Sequence, residues 1–325
     1  MENLVSFPAL GLSLTLNRVA FTLFGHQFYW YGVIIALGFL LAVLWCYRKS
    51  PQFGIAGDTL IDFLIFAVPI SILSARIYYI IFYLDLYRDS SGKLDFSEMI
   101  RIWDGGIAIY GGIIGAVLTL YLFCKIKKIS FGAFADLGCM GLLIGQSIGR
   151  WGNFVNVEAY GRETSLPWRM GIYKSGAYLE VHPTFLYESL WNLIGFLIIA
   201  LILRKRRKFD GQLFLSYLAW YGFGRMLIEG LRTDSLYIPG TAIRVSQLLA
   251  CATCIVSIAL LLYVLLVKKP DGKYLYVNHI ARKHMRTTVS ATDNEANNTI
   301  EGDDFDGSDH RRESTGGENQ DTDQG

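Results

Sequence analysis

Residues 28–47 run for twenty positions without one charged side chain. A helix rises about 1.5 Å per residue and the hydrocarbon core of a bilayer is roughly 30 Å thick, so a block of this length matches one crossing. Six further apolar blocks follow, at residues 59–83, 105–124, 131–148, 184–203, 212–228 and 242–267. Composition alone, with 52% hydrophobic residues, would also fit an unusually apolar soluble protein. The grouping of those residues into crossing-length blocks decides for an all-α integral membrane protein with about seven transmembrane helices.

The formal net charge of +2 hides an asymmetry: residues 284–325 hold eleven Asp/Glu against three Lys/Arg, a net of −8, which leaves residues 1–283 with 27 Lys/Arg and 17 Asp/Glu, a net of +10. The tail is rich in Asp, Asn, Gly, Ser and Thr and has too few apolar groups to offset its ordering entropy, so it is expected to be disordered. The expected division is a membrane domain of residues 1–270 and an acidic tail of residues 271–325. Basic residues follow alternate blocks: Arg48 and Lys49; Lys125, Lys127 and Lys128; the run Arg204-Lys205-Arg206-Arg207-Lys208; and Lys268 and Lys269. The positive-inside rule then puts the N-terminus outside, the tail in the cytoplasm and the long connection at residues 149–183 facing outward. The five cysteines, Cys46, Cys124, Cys139, Cys251 and Cys254, lie in or at the ends of apolar blocks. They read as small buried hydrophobes, and no metal site is expected.

A charged side chain at the centre of a spanning helix costs about 2.5–3.5 kcal/mol on insertion scales. Arg76, Arg150, Glu188, Arg225 and Glu229 nevertheless lie in or at the edges of the blocks. Asp62 and Asp136 fall near predicted cytoplasmic ends, where snorkelling would relieve them. Arg225 and Glu229 are spaced i,i+4 on one helix face, and Arg232 continues it. Each such residue, taken singly, reads equally well as part of an ion pair between helices. The run Gly149-Arg150-Trp151-Gly152-Asn153-Phe154-Val155-Asn156-Val157-Glu158 concentrates polar groups at the end of the fourth block. Irregular backbone at that depth is tolerated only against protein or a water-filled cavity. Stripes of small residues, Gly141, Gly145 and Gly149 in one block and Gly105, Gly106, Gly111, Gly112 and Gly115 in another, allow close helix approach. Together these features predict helices packed around a polar, outward-facing, lipid-accessible cavity. Its arginines would suit an anion, and a phospholipid headgroup is the anion present there.

The same run, continued through Ala159-Tyr160-Gly161, resembles the signature of the bacterial prolipoprotein diacylglyceryl transferases. Further matching pieces are Trp30-Tyr31-Gly32, Trp103-Asp104-Gly105-Gly106, His182-Pro183 with Tyr187-Glu188, and Gly222-Phe223-Gly224-Arg225 with Glu229 and Arg232. They occur in family order over roughly residues 7–268. The resemblance implies transfer of the diacylglyceryl group of phosphatidylglycerol to the lipobox cysteine of a prolipoprotein signal peptide, forming a thioether and releasing glycerol 1-phosphate. It implies a multi-pass protein of the bacterial cytoplasmic (inner) membrane, with phosphatidylglycerol, the signal peptide and the bilayer as partners. It implies no cofactor and no nucleic acid.

Carried over residue by residue, Arg225, Tyr110 and Glu229 are the expected catalytic residues, with Arg225 stabilising the departing phosphate. Arg150, Asn153, Asn156, Glu158, Gly161, Tyr31, His182 and Arg232 are expected to bind substrate, Arg150 through the lipid phosphate. Many family members carry His-Gly-Gly where this chain has Tyr110-Gly111-Gly112. An imidazole with a pKa near 6.5 can accept a thiol proton at neutral pH; a phenol with a pKa near 10 is a poor base but a good hydrogen-bond donor. His182 reads either as a base or lid contact or as a turn residue before Pro183, and Glu188 as a base or as an anchor. A lipid transporter is the competing class, but no second copy of the Arg150 run marks an inverted repeat.

Overall fold

Helix α1 (Trp30–Lys49) begins at the aromatic pair Trp30-Tyr31 and ends on Arg48 and Lys49, where basic side chains complement the helix dipole. The computed structural model describes residues 2–88, 92–174, 176–238, 240–283 and 285. Along the chain follow α2 (Gly57–Phe82), α3 (Phe96–Ile100), α4 (Ile109–Lys127), α5 (Phe131–Asn156), α6 (Thr184–Leu197), α7 (Gln212–Glu229) and α8 (Val245–Leu262). The last turns beyond α6 and α8 widen into π-helix, at Ile198–Ile202 and Tyr263–Lys268. Residues Met1–His279 form one unit and Ile280–Gly325 another. Of the expected acidic tail, residues 271–325, residues 271–283 and 285 are described; the rest of it, where the expected disorder would fall, lies outside the described residues.

The expected fold is met in part. Of the seven expected crossings, six helices among the described residues are long and apolar enough to cross a membrane by length and composition. The one that falls short is α7, eighteen residues long, which carries Gln212, Arg225 and Glu229. Its polar groups are nonetheless met by partners: Gln212 accepts from the Lys208 N–H, and Arg225 pairs with Glu188 of α6 and with Glu229 of its own helix. The chain is not all-α. Strands β1 (Glu2–Phe7) and β2 (Leu12–Asn17) pair with the hairpin β5 (Met170–Lys174) and β6 (Ala177–Val181) in a four-stranded sheet of order β2-β1-β5-β6. Strands β3 (Val19–Leu23) and β4 (His26–Tyr29) form a separate hairpin leading into α1. Val5, Met170, Ile172 and Val181 of the larger sheet are buried with Phe154 of α5 and Phe185 of α6. The sheet thereby clamps the ends of the two helices that carry Arg150 and Glu188.

Helix packing follows the glycine stripes. A Cβ at Gly111 would lie 2.4 Å from Tyr78 Cβ and 2.5 Å from the Ser74 carbonyl, so α4 lies backbone-close on α2. The stripe on α5 receives α1: Gly141 faces Cys46 and Gly149 faces Ile35. At the end of the bundle holding the basic loops, Asp136 is fully buried and does not snorkel. Its carboxylate accepts from the backbone N–H groups of Gly211 (3.0 Å) and Phe214 (2.9 Å), capping α7 from another helix. Arg207 lies 3.7 Å from the same carboxylate and stacks on Phe53. Asp62, by contrast, stays half exposed beside Lys127 at 3.3 Å. Residues 271–279 remain within the first unit, with the Tyr276 N–H donating to Asp210 at 2.8 Å.

Crowding at Gly111 involves backbone that cannot step aside, whereas a Cβ at Gly138 of α5 would meet nothing within 4 Å. Gly111→Ala is therefore expected to destabilise the purified protein by about 1–3 kcal/mol through overpacking. Gly138→Ala should leave thermal unfolding in detergent unchanged or slightly improved; equal melting temperatures for the two variants would contradict the α2–α4 contact.

Candidate active site

Three helices meet in register because side chains tie them reciprocally. Between α5 and α6, Ser147 Oγ donates to the Ser189 carbonyl (2.9 Å) and Ser189 Oγ donates back to the Ser147 carbonyl (2.8 Å). Between α6 and α7, Trp191 Nε1 donates to the Trp220 carbonyl (3.0 Å) and Trp220 Nε1 to that of Trp191 (2.9 Å), their rings stacked 4.3 Å apart. A Cβ at Gly224 would strike Trp191 at 2.1 Å, so only glycine admits the indole beside Arg225. These ties place Glu188, next to Ser189 on α6, opposite Arg150 of α5 and Arg225 of α7.

Glu188 is 4% exposed and is shared by three guanidinium groups. Its Oε2 pairs with Arg150, and its Oε1 accepts from Arg225 at 2.9 Å and from Arg232 at 3.3 Å. Glu229, 1% exposed, pairs with Arg225 at 2.5 Å, as the i,i+4 spacing predicts, and lies 4.0 Å from Arg232. Arg244 donates to the Glu229 carbonyl. Arg232 also makes a bidentate pair with Asp234, at 2.9 and 2.7 Å. Burial alone would raise the Asp234 carboxyl, but its hydrogen bonds to Arg232 and that residue's charge hold it below the ordinary range. Three cations thus surround two fully buried carboxylates, with a third carboxylate at the exposed edge. The arginines keep partial access, with Arg150 at 21% and Arg225 at 17% side-chain exposure.

The end of α5 extends this cluster. Asn153 accepts from Arg150 at 3.4 Å and donates to Glu158 at 2.7 Å, linking the two. Val157 and Ala159 both adopt positive φ, 52° and 55°, and turn the chain sharply after the helix. Such conformations cost about 1–3 kcal/mol each and persist where surrounding structure enforces them. A Cβ at Gly161 would lie 2.6 Å from His182 Cβ and 3.2 Å from the Leu231 carbonyl. Its absence lets residue 161 pair with Arg232 and brings that guanidinium to Glu188. Tyr31 packs on Gly152, where a Cβ would approach its ring to 2.8 Å.

Other residues singled out in the sequence lie elsewhere. The Tyr110 hydroxyl is 3.4 Å from Ser246 Oγ of α8, two residues beyond Arg244. His182 Nδ1 is 3.2 Å from the Tyr187 hydroxyl, which accepts from Trp168 at 2.8 Å. Burial, with help from the Arg162 charge, lowers the His182 pKa and favours its neutral form. Arg76 belongs to a separate knot, donating to the carbonyls of Glu98, Met99, Gly105 and Gly106 at 2.6–2.9 Å. Sequence reasoning passed over Asp234, Arg244 and Arg18. Their partners are backbone carbonyls or near neighbours in irregular connections, which leave no periodic signal.

Two cavities adjoin the end of α5. One, of about 730 Å³, is lined by Tyr31, Gly32, Val33 and Ala36 of α1 with Arg18, Phe28 and Asn156. The other, of about 530 Å³, is lined by Arg18, Glu158, Tyr160, Lys174, Thr233 and Asp234 among others. The walls of these two include Tyr31, Asn156 and Glu158 but none of Arg150, Arg225 or Arg232.

Fold and site together define a polytopic helical membrane protein with a carboxylate-bridged arginine cluster held among three helices. A family model described as prolipoprotein diacylglyceryl transferase matches residues 18–263. The chain is 47% identical over 276 residues to the phosphatidylglycerol–prolipoprotein diacylglyceryl transferase of Lysinibacillus sphaericus, covering 81% of this chain and 98% of that one. The Listeria innocua and Finegoldia magna proteins of the same name are 46% and 45% identical, over 76% and 75% of this chain and 90% and 94% of theirs. The chain belongs to the prolipoprotein diacylglyceryl transferase family.

Among the described residues Glu188 is the one anion common to three arginines, so its removal leaves buried positive charge uncompensated. Glu188→Ala is expected to cost about 3–5 kcal/mol. The measurement is thermal unfolding in detergent; a melting temperature matching that of the parent would show the cluster does not rest on this carboxylate.

Proposed function

We infer that this chain transfers the diacylglyceryl group of phosphatidylglycerol to the thiol of a prolipoprotein lipobox cysteine, forming a thioether and releasing glycerol 1-phosphate. Family membership supports the reaction, and the observation that carries the chemistry is the gathering of Arg150, Arg225 and Arg232 on one buried glutamate. A phosphodiester brings the same acceptor chemistry as a carboxylate, and guanidinium groups bind either in a bidentate way. In this reading Arg150 holds the lipid phosphate and Arg225 takes up the charge that grows on the departing oxygen. Glu188 and Glu229 hold both arginines in place beforehand. Preorganised donors of this type typically contribute about 2.7–4 kcal/mol each to lowering a barrier.

The thiol sulfur bonds to the terminal glyceryl carbon as the bond from that carbon to the phosphate oxygen breaks. The electron pair stays on phosphate, and the thiol proton ends on that leaving group, so atoms and charge balance. Free cysteine is only a few per cent thiolate at neutral pH, and cationic surroundings raise that fraction. The arginines therefore serve the nucleophile as well as the leaving group. Asn153, Asn156, Glu158, Gly161 and Tyr31 shape the substrate space. His182 is a positioning residue at the start of α6, and Arg232 braces Glu188. Tyr110 acts as a hydrogen-bond donor and not as a base. The basic loops orient the protein in the bacterial cytoplasmic membrane with the N-terminus outside and the chain after α8 in the cytoplasm.

Purified protein in phosphatidylglycerol liposomes, given a lipobox peptide, should yield a diacylglyceryl-modified peptide; movement of intact lipid without modification would overturn the assignment in favour of a transporter. In the same assay Arg225→Lys is expected to lose most activity, on the order of a hundredfold or more, while inserting normally. A fully active lysine variant would remove the bidentate role. Tyr110→Phe is expected to reduce kcat measurably, and full activity would confine that phenol to packing against α8.

A further inference from the structure

Arg18 borders both cavities described above. On one side the walls are mostly apolar or aromatic, from Phe28 to Ala36, with Gln27 and Asn156 as polar members; on the other they carry Glu158, Lys174, Thr233 and Asp234. Among the described residues the Arg18 guanidinium is anchored at one corner, where Nη2 donates to the Asn156 carbonyl at 2.9 Å. Its Nε is buried and has no hydrogen-bond partner among the described residues. The carboxylates of the polar cavity are already engaged, Glu158 by Asn153 and Asp234 by Arg232. Its cations are not in ion pairs among the described residues: Arg18 holds a carbonyl, and Lys174 Nζ lies over the Tyr160 ring at 5.2 Å. A guanidinium with spare donors and an ammonium on one cavity wall form an anion site with acceptor oxygens for hydroxyl groups beside it.

We propose that Arg18 and Lys174 bind the phosphate of a phosphoglycerol group in this polar cavity, a second phosphate station separate from the one at Arg150. The proposal rests on the reading of the chain as a phosphatidylglycerol-consuming transferase. An amphiphile whose order is acyl chain, phosphate, glycerol matches the order apolar cavity, Arg18, polar cavity. Glu158 and Thr233 are placed to accept from the glycerol hydroxyls. Asn156, on which Arg18 is anchored, follows Arg150 by six residues on α5, roughly 9 Å along the helix axis. The Arg18 anchor thus lies more than a turn beyond Arg150 along α5. Either the intact lipid headgroup rests here before reaction or glycerol 1-phosphate passes here afterwards.

The discriminating variant is Arg18→Gln, which keeps an N–H for the Asn156 carbonyl and removes the charge; Arg18→Lys keeps the charge, and Lys174→Gln tests the opposite wall. Each is compared with the parent in the liposome assay for KM against phosphatidylglycerol, for kcat, and for the inhibition constant of free glycerol 1-phosphate. Arg18→Gln is expected to weaken one or both constants by roughly tenfold, with kcat changing far less and Arg18→Lys recovering most of the loss. A shift in KM alone assigns the station to the lipid headgroup, and a shift in inhibition alone assigns it to the departing product. Unchanged constants, or a glutamine variant as good as the parent while Arg18→Ala is impaired, would overturn the proposal and leave Arg18 a structural anchor. Absence of transfer by the parent protein would instead sink the transferase reading itself.

Discussion

A single buried carboxylate, Glu188, sets the terms for the centre of this protein. Bringing guanidinium groups among membrane helices is costly, and three at once would repel one another. Glu188 accepts from Arg225 and Arg232 and pairs with Arg150, while Glu229 takes the other side of Arg225. A buried ion pair contributes little net stability against a well-packed apolar alternative, but breaking one is severe. Stability is therefore a weak reason for this cluster to exist. The use proposed for it is a set of positive donors assembled in advance; Arg150 and Arg225 retain 21% and 17% side-chain exposure.

Geometry this demanding requires helices that cannot slide. The reciprocal Ser147–Ser189 and Trp191–Trp220 pairs supply that constraint, each satisfying side-chain donors on the partner's backbone. They lie within about a turn and a half of Arg150, Glu188 and Arg225, so a slip of one residue in either interface would separate the charges. The sheet formed by β1, β2, β5 and β6 fastens the same region from beyond the helix ends, through Phe154 and Phe185. At the opposite end Asp136 does comparable work, capping α7 across an interface and fixing the height of the helix that carries Arg225. The two ends are thus linked through α7.

How much of this was readable beforehand varies with the range of the interaction. The Arg225–Glu229 pair is a one-turn contact and follows from spacing. The crowded faces at Gly111 and Gly141 follow from the stripes of small residues. The β-strands did not emerge: β1 and β2 precede the first apolar block, and the hairpin lies inside a connection read as irregular. Short alternating segments carry little signal beside blocks of twenty apolar residues. Helix α7 was counted as a crossing like its neighbours, although its polar side chains give it a different apolar character. Arg76 and Arg150 looked alike as charges in apolar blocks. One proved to be a clasp on four backbone carbonyls, the other a member of the cluster.

Block length, the placement of basic loops and the Arg150–Glu158 run are local properties, and from them the sequence by itself determined a membrane-spanning helical bundle and the family to which it belongs. Which charged groups meet was decided only by the tertiary structure. Arg225 and Arg232 reach Glu188 across 37 and 44 residues of chain. A contact of that range depends on the rotation and height of three separate helices. Those are set by packing at serines, tryptophans and glycines that carry no charge themselves, so no pattern among the charged residues could have announced it.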